Sequence, residues 1–396
     1  MMLSNSRSRL WASMVLLILG GSAQALAESL APFEERLLST ATADGPIAES
    51  PVFARRGNAV AYCQELPDQT RIVHFGNSRS EPLAIASHLV LSDSPKPRLA
   101  YIESAAGEAP GERLFRVVCD GVPSPLLLMV LDGPLFDPVG EHLYYAAISR
   151  DHRRRLFVDG IPRIDQERQR IAFAGGGNDL AYAEQSRNRW HVVFGNYIGG
   201  DCDDISEIAI SPDGQRVAYV GRIGDNSFVM CDGVRGKDCA AIWDLQWNAS
   251  GKYCIYCAEA VNSQSGQVEW MIVRGQEVIK EDSFVCKLRS SADDSRMLYW
   301  KSVSQLPKRW RLVSEGRSLG ESDSPGECSF SPDGTGVAWV EEIGKAKRVL
   351  HVDDWLSVEM AYVGSIVWDS EGKKVAFGAL CGREFWWKVV PVMNKK

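Results

Sequence analysis

Read for its apolar and polar positions, the chain repeats itself. A turn is followed by a short apolar strand that ends in an aromatic residue. The clearest copies are Ile210-Ser-Pro-Asp-Gly-Gln-Arg-Val-Ala-Tyr219 and Phe330-Ser-Pro-Asp-Gly-Thr-Gly-Val-Ala-Trp339. Related copies end at Tyr62, Tyr101, Tyr145, Tyr182, Tyr256, Tyr299 and Phe377, so successive aromatics are 39, 44, 37, 37, 37, 43, 40 and 38 residues apart. A regular period of this length marks a repeat architecture and overrides the domain count that length alone would suggest.

A second landmark falls between the aromatics. Two-residue turns follow β-rich runs at Gly76-Asn77, Asp120-Gly121, Asp159-Gly160, Gly195-Asn196, Asp232-Gly233, Arg274-Gly275, Glu315-Gly316 and Asp353-Asp354. From the second turn residue to the next aromatic is always 22 to 24 residues. Asp-Gly and Gly-Asn favour the primed turns whose twist matches that of paired strands. In Ser-Pro-Asp-Gly, Pro212 and Pro332 preset φ, Asp213 and Asp333 bond back to the backbone, and Gly214 and Gly334 take the left-handed position. Each unit therefore holds two hairpins, hence four strands, and no helical periodicity follows the first 27 residues.

Four antiparallel strands per ~40 residues make a propeller blade. One blade cannot bury its own faces, so blades must stack around a channel. The expected fold is all-β: a single β-propeller of four-stranded antiparallel blades over residues 28–396. Nine repeats are counted, or eight if Ser87 to Tyr101 or Arg170 to Tyr182 is not a full blade. The ninth unit has three strands, Ser365 to Trp368, Lys374 to Phe377 and Glu384 to Val392. The spare segment Ala43 to Glu49 is expected to supply its missing outer strand and close the ring, leaving no unpaired edge.

The first 27 residues read differently. Arg7 and Arg9 precede a short apolar run centred on Met14 to Leu19, and Ala25-Leu26-Ala27 is a small-x-small cleavage site. This is the pattern of a cleaved signal peptide, and the run is too short to span a bilayer. The expected location is periplasmic or secreted. Net charge is −7 overall, and removing Arg7 and Arg9 leaves −9. An acidic surface of this kind excludes a nucleic-acid footprint.

The units at Ser211-Pro-Asp-Gly214 and Ser331-Pro-Asp-Gly334, each followed by Val-Ala and an aromatic, resemble the WD-like (PD40-like) repeats of TolB-type bacterial propellers. The hairpin Val117-Val-Cys-Asp-Gly121 is similar to the same class. The resemblance covers nearly all of the chain after the leader, although two units alone carry the full tetrapeptide. It implies an exported interaction platform. The chain is expected to lack both the extra N-terminal domain of TolB itself and the hydrolase domain of the oligopeptidase relatives.

Searches for chemistry give little. Gly-x-Ser-x-Gly is absent, and none of the six His (His74, His88, His142, His152, His191 and His351) has local zinc spacing. His74 and His351 sit alike, just before a turn, and read as strand-surface residues. Asp201-Cys-Asp-Asp204 has oxygen donors but no complete calcium loop, and reads as an exposed acidic turn. Gly175-Gly-Gly177 stands where a neighbouring unit has Pro-Asp-Gly, and is no phosphate loop. Cys254 and Cys257 are three apart on a strand, so they point to opposite faces and cannot share a metal or a redox role. All ten Cys follow the leader, and an exported chain permits one or two disulfides whose pairing is open.

One asymmetry stands out. Eleven of the twelve Trp lie at or after residue 190. Trp190, Trp270, Trp310 and Trp386 fall early in the third strand of their units, where they either pack blade on blade or line a face for a peptide or sugar. The expected function is a monomeric binding or scaffold module for a protein, peptide or glycan, without cofactor, metal or catalytic residues. The alternative is a lyase or glycan-active hydrolase at the channel mouth.

Overall fold

The computed structural model describes residues 34–107, 112–164, 168–173, 180–262, 264–305, 308–344 and 346–392. Residues 1–27, expected from the sequence to be a leader, and Gly175 to Gly177 lie outside the described residues. No helix among the described residues is long and apolar enough to cross a membrane.

The described residues form 36 strands, which fall into nine blades of four antiparallel strands, with strands between residues 52–79 (blade 1), 86–123 (blade 2), 127–164 (blade 3), 168–198 (blade 4), 204–235 (blade 5), 241–281 (blade 6), 285–322 (blade 7), 328–356 (blade 8) and 362–391 (blade 9). Both weakly patterned units are full blades. Blade 2 comprises Ala86–Leu91, Leu99–Ala106, Arg113–Cys119 and Val122–Pro123. Blade 4 comprises Arg168–Phe173, Leu180–Ser186, Arg189–Phe194 and Tyr197–Ile198. Blades 2 and 3 join into one sheet where Leu127 pairs with Phe115.

Within blades 1 to 8 the strands pair in chain order. The first strands of neighbouring blades touch one another, which makes them the inner strands. The fourth strands are outermost and mostly exposed, as at Ser78–Arg79, Val122–Pro123 and Val234–Arg235. Seven of the two-residue turns read from the sequence lie between a third and a fourth strand. In blade 6 the turn is Gly275-Gln276, one residue later than Arg274-Gly275, because Arg274 still belongs to the third strand and pairs with Glu277. At Asp120-Gly121 and Asp232-Gly233 both residues have positive φ, the requirement of a primed turn.

The Ser-Pro-Asp-Gly segments join first to second strands. Ser211 Oγ accepts from Arg216 N at 2.9 Å, and Asp213 Oδ1 accepts from Gln215 N at 3.1 Å. Other blades reproduce the device with different residues. Ser92, Asp137, Asn248, Ser291, Ser331 and Asp369 each accept the backbone N–H that opens the second strand. A side-chain acceptor at this point satisfies a backbone donor in each of these seven blades, whereas blade 1 has Ala54 there.

The chain's two ends meet in one sheet, but not through the expected segment. Blade 9 contains Tyr362–Trp368, Lys374–Cys381 and Glu384–Pro391, and its outer strand is Arg36–Thr40. The register is Arg36 with Trp387, Leu37 with Trp386, Ser39 with Phe385 and Thr40 with Glu384. Ala43 to Glu49 instead lies along blade 1. Ala48 N donates to Cys63 O at 2.8 Å, Glu65 N donates to Pro46 O at 3.0 Å, and Gln64 Nε2 donates to Gly45 O at 2.9 Å. The edge of blade 1 captures that segment, so the preceding residues pair with blade 9.

The core lies between blades. Ala61, Cys63 and Val73 of blade 1 pack on Ala86, Leu89 and Leu99 of blade 2, and similar clusters follow along the chain. Phe53 and Tyr62 of blade 1 pack with Phe385 and Trp387 of blade 9 in one cluster. The sequence of blade contacts thus returns to its start.

Candidate functional site

Two ends of the blades differ by topology. The back carries the first-to-second turns and the third-to-outer turns. The front carries the second-to-third hairpins and the connections from blade to blade.

The inner strands carry a shared device four residues before the turn-opening residue. His88, Gly133, Asp244, Lys287 and Ser365 occupy this position, all with positive φ and all at register shifts of the inner strand. Glu207 and Glu327 hold the same position in blades 5 and 8. A bulge turns two backbone N–H groups away from the ladder, and they need acceptors. In blades 6, 7 and 9 the preceding blade supplies them, whereas in blade 3 Asp132 accepts from Gly133 N at 3.0 Å. Glu207 accepts from Leu245 N at 2.7 Å and Asp244 N at 3.3 Å. Asp244 accepts from Lys287 N, and Glu327 accepts from Ser365 N at 2.8 Å and Ile366 N at 3.0 Å. Lys287 cannot accept, and its ammonium donates to Pro325 O at 2.5 Å. Ser365 Oγ donates to Phe53 O of blade 1 at 3.3 Å. One position thereby links blades 5, 6, 7, 8, 9 and 1 in succession. Burial pushes the Asp244 carboxyl above the usual carboxylate range, against the pull of Arg289 and the Lys287 amide.

The late tryptophans reinforce the same junctions. Trp243 Nε1 donates to Val285 O at 2.8 Å, Trp247 Nε1 to Ala209 O at 3.1 Å, Trp300 Nε1 to Gly326 O at 3.1 Å, and Trp368 Nε1 to Ser329 Oγ at 3.0 Å. Each bond crosses from one blade to its neighbour.

At the front of blades 6 and 7 four aromatics form a group. Trp243 stacks on Phe284 with centroids 5.0 Å apart. Trp270 and Trp310 meet the same Phe284 ring edge-on at 5.3 and 5.9 Å. Trp243 and Trp310 are buried, whereas Trp270 and Phe284 are half-buried. Charge flanks the rings. Lys301 Nζ lies 2.7 Å from Glu281 and 2.8 Å from Asp282, and Tyr299 OH donates to Glu281 at 2.6 Å. Burial pulls the Lys301 ammonium down, but its bonds to Asp282 and Glu281 outweigh this and hold its pKa above the ordinary value. Lys308 Nζ lies 4.9 Å from the Trp310 ring centroid. The two half-buried rings and the paired charges together suit a ligand with both apolar and hydrogen-bonding surfaces.

The residues singled out in the sequence separate clearly. Trp190 and Trp310 are buried in blade packing, Trp386 is half-buried with Lys388 Nζ 5.2 Å from its ring, and Trp270 belongs to the front group. His74 and His351 are not surface residues as the sequence suggests: His74 is buried and His351 half-buried, because they stack on Tyr62 at 4.6 Å and on Trp339 at 3.7 Å, the same place in blades 1 and 8. Burial lowers the pKa of both imidazoles, and for His351 it prevails over the bond to Glu341. Asp203 pairs with Arg189 and accepts from Gly224 N at 2.7 Å, and Asp204 accepts from Ile205 N at 3.0 Å. Those carboxylates therefore hold the loop together. Cys254 packs toward blade 5 and Cys257 toward blade 7, on opposite faces of their strand.

No family model matches the chain, and no curated protein does. Among solved structures, a eukaryotic initiation factor aligns with TM-score 0.49 and 11% identity over 88% of this chain and 92% of its own. The β-propeller domain of the Trilobed protease from Pyrococcus furiosus, described as having an open velcro topology, aligns with TM-score 0.39 and 11% identity, covering 78% of this chain and 99% of its own. Dihydro-heme d1 dehydrogenase NirN aligns with TM-score 0.46 and 11% identity, covering 81% and 77%. Likenesses at this level carry no argument about site or activity, and the propeller assignment rests on the chain's own sheets.

Proposed function

We propose that this protein is an exported binding module that takes a peptide or glycan partner on the aromatic group at the front of blades 6 and 7. The observation that carries the reading is the half-open pair Trp270 and Phe284, fixed by Trp243 and Trp310 beneath them and bordered by Glu281, Asp282 and Lys301. Rigid aromatics held in place lose little entropy on binding, which favours their use as anchors. The likeness of Ser211 to Gly214 and Ser331 to Gly334 to TolB-type repeats supports a platform in the cell envelope, as does the leader-like N-terminus. Enzyme chemistry at the channel has less support, because Glu207, Asp244 and Glu327 are engaged with backbone amides of the next blade.

The test is a binding titration followed by tryptophan fluorescence, using arrays of envelope glycans and peptides as probes. A ligand that binds the wild type is expected to lose tenfold or more in affinity with Trp270→Ala, about 1.4 kcal/mol. Equal affinity for wild type, Trp270→Ala and Phe284→Ala would remove the site from this reading.

A further inference from the structure

Cysteine positions in neighbouring repeats differ in what they face. Cys119 of blade 2 and Cys231 of blade 5 both end a third strand, in Val-x-Cys-Asp-Gly hairpins. In blade 3, Leu143 opens the second strand and shares a cluster with Cys119. In blade 6 that place is taken by Cys254. Its thiol meets Cys231 across the blade junction, with the two Sγ atoms 2.8 Å apart. A disulfide bond is about 2.05 Å long, so a movement of under about 1 Å joins them.

We infer that Cys231 and Cys254 form an inter-blade disulfide when the folded chain meets a disulfide oxidant, tying the third strand of blade 5 to the second strand of blade 6. Cys231 is the half-exposed partner and Cys254 the buried one. Cys231 therefore starts the exchange. Its thiolate, the proton having passed to solvent, attacks a small-molecule or protein disulfide and expels one thiolate. Cys254 then loses its proton and attacks the Cys231 sulfur of the mixed disulfide, expelling the second. Two S–H bonds are lost, one S–S bond forms, and the oxidant is reduced to two thiols. The link encloses the outer strand Val234–Arg235 and the inner strand Ala241–Trp247. The other thiols lack such a partner among the described residues, for example Cys119, whose sulfur accepts from Arg98 Nη2 at 3.1 Å.

The experiment uses the full folded chain exposed to glutathione disulfide, then denatured, alkylated and digested with trypsin. The expected product is a linked pair of the peptides spanning residues 223–235 and 253–274, absent after reduction. Eight of the ten thiols then remain open to alkylation. Cys231→Ser abolishes the linked pair, and Cys119→Ser leaves it in place. Alkylation of all ten thiols in the oxidant-treated wild type overturns the proposal, as does a linked pair joining Cys254 to any other cysteine. Because the peptide spanning residues 253–274 also carries Cys257, fragmentation of the linked pair must place the bond at Cys254, and a bond at Cys257 overturns the proposal; that wild-type map decides the matter alone if a variant does not fold.

Discussion

The carboxylate of Glu327 in blade 8 accepts from the backbone N–H groups of Ser365 and Ile366 in blade 9, at 2.8 and 3.0 Å. Thirty-eight and thirty-nine residues separate the partners, close to one repeat. The same relation joins Glu207 to Asp244 and Leu245. A left-handed bulge in one blade is thus stabilised by a carboxylate at the corresponding position of the blade before it.

Removing that acceptor should be costly. Glu327→Ala leaves two amides of the blade 9 bulge without their partner, and should lower unfolding free energy by about 2–3 kcal/mol. Glu327→Gln keeps an acceptor oxygen and should cost about 1 kcal/mol. Urea unfolding of the two variants checks the order, and equal losses would show that the bond to the bulge contributes little.

The turn serine gives a second prediction. Ser331 Oγ accepts from Gly336 N at 2.8 Å in a buried setting. Ser331→Ala should cost about 1–2 kcal/mol, because an enclosed donor loses its acceptor. Ser331→Asn should cost less, since Asn248 performs the same task in blade 6. Thermal melts of both variants test this.

Stability should also depend on two histidines. Burial lowers the pKa of His74 and His351 below the ordinary 6.5. Between the folded and unfolded values the unfolded chain binds more protons, so stability rises with pH there. It is complete above pH 6.5 and falls as pH drops toward the folded values. The melting temperature should therefore be lower at pH 5 than at pH 7.5, with a smaller difference in the His74→Gln, His351→Gln double variant. An unchanged difference would assign the pH dependence to other groups.

Much of this architecture is legible in the chain. The aromatic at each second strand, the turn at each outer strand and the opposite facing of Cys254 and Cys257 all follow from period and strand geometry. These features depend on residues close together in sequence. The closing strand was harder to locate. Arg36-Leu-Leu-Ser-Thr40 has little alternation and pairs with residues near 385, whereas Ala43 to Glu49 carries the stronger turn chemistry and lies on blade 1. The Glu207, Asp244 and Glu327 series had a signal, a fixed place four residues before Ser211, Asn248 and Ser331. Nothing in the sequence states what a side chain meets one blade away. The front aromatics illustrate the same gap, because Phe284 becomes central only when blades 6 and 7 stack.

The N-terminal strand bears on the whole circuit. Deleting residues 28–41 exposes the backbone edge of Glu384–Pro391 and removes Ala41 from the junction with blade 1. Amide hydrogen exchange of that strand is the most direct test. In the full chain the N–H groups of Glu384–Trp387 that face Arg36–Thr40 should exchange as slowly as those of Val217–Ile223, a second strand inside blade 5. In the deleted chain they should lose protection while Val217–Ile223 keeps it. Fast exchange of those Glu384–Trp387 amides in the full chain would contradict a propeller whose last blade is completed by Arg36–Thr40.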